Sequence, residues 1–290
     1  MPHPGAGRFA PSPTGALHRG SLLTAVASWL DARARGLAWQ LRFDDLDSSR
    51  NMRGAKDSIC RTLEAHALVW DGAIVRQSLR TEQYALALAR LSELNLTYPC
   101  TCSRLTLAGT TVYPGTCRTR GPVEKLSAIR FRCQPGIITF EDDYRGSQQI
   151  DVAAETGDFV IRRRDGIFAY ALATAVDDGD PEITRVVRGR DLLQLTGIQL
   201  ALMNALDLEQ PSYGHLPLVV NSIAQKLSKQ TRAQPLDDAQ ALNNLRWALR
   251  ALGQPSAETT TNKPEELLCA AVSLWSPDLI PTSDIVLVNP

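Results

Sequence analysis

The chain has 290 residues, 44% of them apolar, and its 31 Lys and Arg are matched by 31 Asp and Glu, for a net charge of zero. That length suits one large α/β domain with an insertion, or two smaller domains, and the apolar share is enough to fill a core. No run reaches the length of a membrane span and residues 1–7 lack an apolar signal segment, so a cytoplasmic protein with no membrane partner is expected, and a nucleic-acid partner would have to meet local basic patches instead of overall charge.

The chain is organised around Arg8-Phe9-Ala10-Pro11-Ser12-Pro13-Thr14-Gly15-Ala16-Leu17-His18-Arg19-Gly20-Ser21. The pattern predicts a short strand, a turn set by prolines and a glycine, and a helix with Leu22, Val26, Trp29 and Leu30 at helical spacing that stops at Gly36. Backbone N–H groups in the first helical turn, near His18, Gly20 and Ser21, would face an anion. Gly20 allows close approach to the backbone, and His18 can donate a hydrogen bond to a phosphate oxygen.

Trp39 to Phe43 alternate as a strand that ends in Asp44-Asp45-Leu46-Asp47, at the carboxyl end where parallel sheets bind ligands. Helices are predicted over 53–68, with Ile59, Leu63 and Ala67 inward and Cys60 in the core, and over 81–96, with Tyr84, Leu88 and Leu91 inward. Six cysteines in a chain this long do not form a disulfide scaffold. Cys100, Cys102 and Cys117 instead fall in one looped segment, which points to zinc. Structural zinc takes four ligands, and the residues alone offer Cys133 or a histidine from elsewhere as the fourth.

Residues 128–143 read as short strands. Arg130 and Arg132 alternate with apolar residues there and, with Arg118 and Arg120, give a basic face suited to an RNA backbone or simply to solvent. A strand and hairpin turn follow over 159–166, then a strand over 167–176 that carries Tyr170 and breaks at Asp177-Asp178-Gly179-Asp180. A strand-like run over 183–190 contains Arg188 and leads to a helix with Leu195, Ile198, Leu202 and Leu206 on one face. The last strand, His215 to Val219, precedes a loop, Lys226-Leu227-Ser228-Lys229-Gln230. Closing helices are predicted over 239–252, with Leu242, Leu245, Leu249 and Leu252 inward, and over 264–274.

Arg8 to Ser21 resembles the first signature of class I aminoacyl-tRNA synthetases, and Lys226 to Gln230 resembles the second, with Ser21 where the first usually ends in histidine. The opening Arg-Phe-Ala-Pro-Ser-Pro-Thr-Gly is similar to the glutamate-specific branch. Over nearly its whole length the chain resembles the truncated paralogues of that branch, the glutamyl-Q tRNA(Asp) synthetases. The roughly sixty residues after the lysine loop are too few for an anticodon-binding domain.

The resemblance implies an α/β fold: a Rossmann-like parallel sheet (1–98 and 159–235), an inserted zinc-containing α/β subdomain (99–158) and a short helical cap (236–290). It implies a ligase that activates L-glutamate with ATP and magnesium, without tRNA, and transfers glutamate to queuosine in the anticodon of tRNA(Asp). His18, Gly20, Ser21, Lys226 and Lys229 would bind ATP, His18 and Lys229 being catalytic. Glutamate would lie against Arg8, Phe9, Ala10, Pro11, Ser12, Asp44, Tyr170 and Arg188. Asp44 stands where the family has a glutamate for the substrate's amino group, and Arg188 where it has the arginine for the side-chain carboxylate. One zinc per chain would be held by Cys100, Cys102, Tyr113 and Cys117, and the protein is expected to be a monomer. Three other readings remain: a minimal glutamyl-tRNA synthetase that charges the tRNA 3′ end, a plain nucleotidyltransferase, and a zinc-containing RNA-binding module without catalysis.

Overall fold

The computed structural model describes residues 5–121, 126–221, 225 and 234–287. It opens on β1 (Ala6–Phe9), α1 (Arg19–Ala34) and β2 (Ala38–Phe43), continues through α2 (Ala55–Ala65), β3 (Val75–Arg76) and α3 (Thr81–Glu93), and reaches β4 (Thr97–Cys100) and β5 (Ala128–Phe131). A hairpin of β6 (Ile138–Asp142) and β7 (Gly146–Ile150) follows, then α4 (Val152–Glu155), β8 (Val160–Arg162), α5 (Tyr170–Asp178) and β9 (Ile183–Gly189). The chain closes with α6 (Leu193–Leu206), β10 (Ser212–Leu216), β11 (Val219–Val220), α7 (Ala241–Ala251), α8 (Pro264–Ser273) and β12 (Ile285–Val286).

The large sheet has the order β3-β2-β1-β9-β10-β6-β7 and is parallel except for the terminal β6–β7 hairpin. From β1 the chain winds outward through β2, and from β9 it winds the opposite way through β10. The strand order therefore reverses between β1 and β9, and the crevice beyond their carboxyl ends is where a parallel sheet of this kind receives a ligand. Phe9 ends β1 and Gly189 ends β9, so the first signature and Arg188 converge on that crevice.

Helix α1 lies between this sheet and helices α7 and α8, which explains why it is buried nearly all round. Leu22, Leu23, Val26, Ala27 and Leu30 are all inaccessible, a wider set than the single stripe expected from sequence. The helix stops as expected, with Gly36 at φ +69° beyond it. Leu245, Leu249 and Leu252 face the same core, while Leu242 is only partly buried against it.

One element differs in kind from the expectation. Residues 167–176 were predicted as a strand, but Tyr170 is the first residue of helix α5. Alanines alternating with Tyr170, Leu172 and Thr174 mimic a period of two. Positions 171–175 are all buried, so no polar face exposes the helical period, and alanine favours the helix. Asp177 and Asp178, expected to break the segment, are its buried final turn.

The cysteine-bearing segment belongs to a separate antiparallel sheet of order β4-β5-β8. The β6–β7 hairpin, from the stretch expected to form the insertion, instead extends the large sheet beside β10, with Asp142 opposite Tyr213. Among the described residues no helix is long and apolar enough to cross a membrane.

Candidate active site

A cavity of about 420 Å³ opens at the carboxyl ends of β1 and β9. It falls in the size range of small-molecule sites. Arg8, Phe9, Ala10, Pro11, Ser12, His18, Gly20, Ser21, Tyr170 and Arg188 all line it. Among the expected substrate residues, Asp44 is the one that does not. Lys226 and Lys229 lie outside the described residues.

His18 caps helix α1, and its role at the helix end differs from the one expected. Its Nδ1 accepts from the backbone N–H groups of Gly20 (3.1 Å) and Ser21 (3.3 Å), so those donors serve the ring and not an anion. Ser21 completes the reciprocal cap: its Oγ accepts from His18 N at 2.7 Å. Because a backbone N–H can only donate, the neutral ring carries its proton on Nε2. The helix end thus presents an imidazole N–H in place of two peptide N–H groups.

Two buried arginines in the site are treated in opposite ways. Arg8 donates from Nε and Nη2 to both oxygens of Asp178, at 3.0 and 2.9 Å, a bidentate pair in which both side chains are buried. Burial opposes the charge on Arg8, and Asp178 outweighs it and raises its pKa. Arg42 donates to Asp178 at 2.7 Å and to Asp44 Oδ1 at 2.8 Å. Burial pushes the Asp178 carboxyl up, but Arg42 and Arg8 together hold it well below the usual carboxylate range.

Arg188 is as deeply buried, yet all its bonded partners are neutral side chains. Its Nε donates to His215 Nε2 at 3.1 Å, and its Nη2 donates to Thr196 Oγ1 at 2.8 Å and Gln199 Oε1 at 2.7 Å. Nη1 is buried and has no hydrogen-bond acceptor among the described residues. Burial, then the neighbouring positive charge of Arg8, lower the Arg188 pKa. A desolvated guanidinium with one open donor nitrogen is a site for a carboxylate, to which Nη1 can give a charge-assisted hydrogen bond.

Asp44 is tied to Arg42 through Oδ1, while its Oδ2 is buried without a partner. Burial raises its pKa to about 6, against the opposing pull of Arg42. Tyr170 sits at the cavity with its pKa raised to about 12, by burial first and by the Asp44 charge second.

The thiols also converge. The Sγ atoms of Cys100, Cys102 and Cys117 lie within 4.8 Å of one another, Cys102 and Cys117 being 3.6 Å apart. Tetrahedral zinc with bonds of about 2.3 Å to sulfur needs sulfurs about 3.8 Å apart, so the spacing fits. The Tyr113 hydroxyl is 3.5 Å from Cys100 Sγ and 3.7 Å from Cys102 Sγ. Burial pushes the Cys117 thiol up, but the Thr101 backbone N–H, Cys102 and Tyr113 outweigh it and leave it at about 6. Burial and the bond to Cys100 raise the Tyr113 phenol, which only a bound cation would reverse. Gly157, at φ +71°, lets the chain pass against Tyr113, whose carbonyl oxygen would lie 2.8 Å from a Cβ there. Cys133, the alternative ligand by composition, is turned away, and its thiol donates to Gly157 O at 3.0 Å.

The arginines weighed for an RNA-facing sheet are largely spent on this subdomain. Arg130 is buried, donates to Asp158 O at 2.6 Å and stacks over the Tyr113 ring at 3.6 Å. Arg118 pairs with Asp158, and Arg132 donates to Arg118 O and covers Tyr98. Arg120 remains exposed, bonded to Thr101 Oγ1 at 3.3 Å.

Sequence reasoning missed Asp178, Thr196, Gln199 and His215, the residues that hold the two arginines. One signal was present: Thr196 and Gln199 are three apart within a largely apolar helix, a spacing that puts both on one face.

The family model for "tRNA synthetases class I (E and Q), catalytic domain" matches residues 6–110 and 117–253. The chain is 47% identical over 276 residues to the glutamyl-Q tRNA(Asp) synthetase of Pseudomonas putida (strain W619), covering 94% of each chain. It is 48% identical to that of Ectopseudomonas mendocina, over 96% of this chain and 95% of the relative. Among solved structures, a glutamate tRNA ligase from Elizabethkingia meningosepticum shares the fold, with a TM-score of 0.81 at 22% identity, over 98% of this chain and 67% of the other. With both signatures in the sequence, and the reversed sheet and the three converging thiols in the structure, the chain belongs to the class I aminoacyl-tRNA synthetase ligases, in the glutamyl-Q tRNA(Asp) synthetase family.

Proposed function

We propose that this enzyme joins L-glutamate to ATP as glutamyl-adenylate without tRNA and then transfers the glutamyl group to queuosine in the anticodon of tRNA(Asp). The observation that carries the first step is Arg188 Nη1, a buried donor without an acceptor among the described residues, on a side chain that lines the same cavity as the first signature. In activation, a glutamate α-carboxylate oxygen attacks the α-phosphorus of ATP and pyrophosphate leaves with the electrons of the broken P–O bond. Both reactants are anions, so positioning and charge neutralisation supply most of the catalysis. His18 Nε2–H donates to phosphate oxygen, Lys229 stabilises charge on the leaving pyrophosphate, and Lys226 binds ATP. Magnesium accompanies the nucleotide. Arg188 holds the side-chain carboxylate, Tyr170 meets the ammonium end at the cavity, and Asp44, which does not line the cavity, supplies negative charge to that end from beside Tyr170.

The names of the relatives support the second step, since each is called a glutamyl-Q tRNA(Asp) synthetase. The deciding experiment is glutamate-dependent pyrophosphate exchange without RNA, followed by labelled-glutamate transfer to tRNA(Asp) with and without queuosine. Exchange without RNA and transfer only to the queuosine-bearing tRNA are expected. Exchange that requires tRNA, with transfer to an unmodified transcript, would make the protein a minimal glutamyl-tRNA synthetase instead.

The ammonium role of Asp44 gives a pH dependence. The carboxylate form prevails above its pKa of about 6, so kcat/KM for glutamate rises with pH through that value and levels off above it. Asp44→Asn should abolish this rise and lower the plateau. A rise that survives in Asp44→Asn belongs to another group and removes Asp44 from the ammonium site.

A further inference from the structure

Arg8 and Arg188 are both buried arginines of parallel strands that line one cavity, but Arg8 is neutralised by a carboxylate and Arg188 is not. The difference lies in what occupies the Nε edge. Asp178 takes it on Arg8, whereas the His215 imidazole takes it on Arg188, and the carboxylate of Asp142 stands on the far side of that ring. We propose that His215 and Asp142 form a positioning pair that fixes the Arg188 guanidinium with Nη1 toward the cavity and keeps its charge uncompensated for a substrate carboxylate. This rests on the reading of Arg188 as the side-chain anchor.

The geometry fixes each proton. Arg188 Nε–H can only donate, so His215 Nε2 is the acceptor and the ring proton is on Nδ1, where it bonds to Asp142 Oδ2 at 2.5 Å. Asp142 Oδ1 accepts from the His215 backbone N–H at 3.1 Å and from the Tyr144 N–H at 3.0 Å, which holds the carboxylate in place. His215 and Asp142 are both buried, and the ring stacks on Tyr213 with planes 13° apart. The neighbouring Nη2 is held by Thr196 and Gln199, and the Gln199 amide is itself oriented by its bond to Thr174. With Nε and Nη2 occupied, Nη1 is the nitrogen left to a ligand. A carboxylate placed directly against Nε would also orient the fork, but it would cancel the charge, as Asp178 does for Arg8. An imidazole between the two gives the orientation without that cancellation, in the way a carboxylate behind a histidine fixes the tautomer at a metal site.

The test is steady-state pyrophosphate exchange with L-glutamate, L-glutamine and ATP varied in turn, on His215→Leu, His215→Gln, Asp142→Asn and Arg188→Ala. Loss of a hydrogen bond to a charged group predicts a glutamate KM raised about 10-fold to 100-fold in His215→Leu. The preference for glutamate over glutamine should collapse with it, while the ATP KM stays within about twofold of wild type, the span expected of groups outside the nucleotide site. His215→Gln supplies an amide oxygen to Nε–H and should restore most of the loss, which a merely structural role would not predict. Should His215→Leu fail to fold, Asp142→Asn decides: a raised glutamate KM with unchanged ATP KM supports the pair, and unchanged glutamate kinetics overturns it. A folded His215→Leu with wild-type glutamate KM, or with equal rises for glutamate and ATP, overturns it as well. Wild-type kinetics in Arg188→Ala would instead overturn the reading of Arg188 itself.

Discussion

Arg188→Ala is expected to lower kcat/KM for glutamate in pyrophosphate exchange by about 100-fold or more, chiefly through glutamate KM, since truncating one partner of a buried charge pair costs about 2–5 kcal/mol. The substrate carboxylate would then be desolvated against neutral groups, Thr196, Gln199 and His215, with no guanidinium to meet it. Arg188→Lys keeps a positive charge but loses the planar fork and both edge contacts, so it should recover only part of the loss. ATP KM is the internal control. His18 caps its own helix through Nδ1 and makes no bond to Arg188, so nucleotide binding should be little changed. Because the native guanidinium is desolvated without a counter-ion, its removal also relieves an electrostatic cost, and the melting temperature should fall less than for a paired arginine such as Arg8. Glutamate kinetics like those of wild type would remove Arg188 from the site.

Sequence and structure agree most closely where a residue's own chemistry fixes its place. The helix after the first signature, its stop at Gly36 and the strand into Asp44 follow from periodicity and backbone preference, and the three thiols from zinc's need for sulfur. The reading failed at Tyr170 because a helix with five successive buried positions, 171–175, shows no amphipathic period to detect, and small alanines fit either structure. It failed again at Arg130, where alternation with apolar residues suggested an exposed basic face. The guanidinium is instead buried over the Tyr113 ring, an arrangement that depends on a tyrosine 17 positions away in sequence (130 less 113). The partners of Arg188 were invisible for a related reason. His215, Thr196 and Gln199 come from β10 and α6, and only the pairing of β9 with β10 brings His215 opposite Arg188.

Zinc removal is expected to have its largest effect on the β4-β5-β8 subdomain. Elemental analysis should find about one zinc per chain, as a single four-ligand site requires, and Cys117→Ser should lose it. The free energy of binding a structural zinc is folding free energy for the segment that holds it, about 10–16 kcal/mol in small zinc domains. The hydrophobic cluster around this site is small, Tyr98, Cys100 and Cys117 with Cys102 and Tyr113 at its edge, so apolar burial does little to order the loop between Cys100 and Cys117. Chelation should therefore expose residues 101–121 to limited proteolysis and lower the melting temperature. A zinc held by three thiolates and a phenolate would have no open position, so its role would be structural. None of the four proposed ligands lines the cavity, and glutamate-dependent exchange should survive metal loss at temperatures where the large sheet stays folded. Two substitutions identify the fourth ligand. Tyr113→Phe keeps the thiolates and the ring under Arg130 but should weaken zinc retention, whereas Cys133→Ser should leave it unchanged because that thiol is bonded to Gly157. The reverse result would transfer the role to Cys133, and a folded wild-type protein free of zinc would mean that the hydrogen bonds among the thiols and Tyr113 suffice to hold the loop.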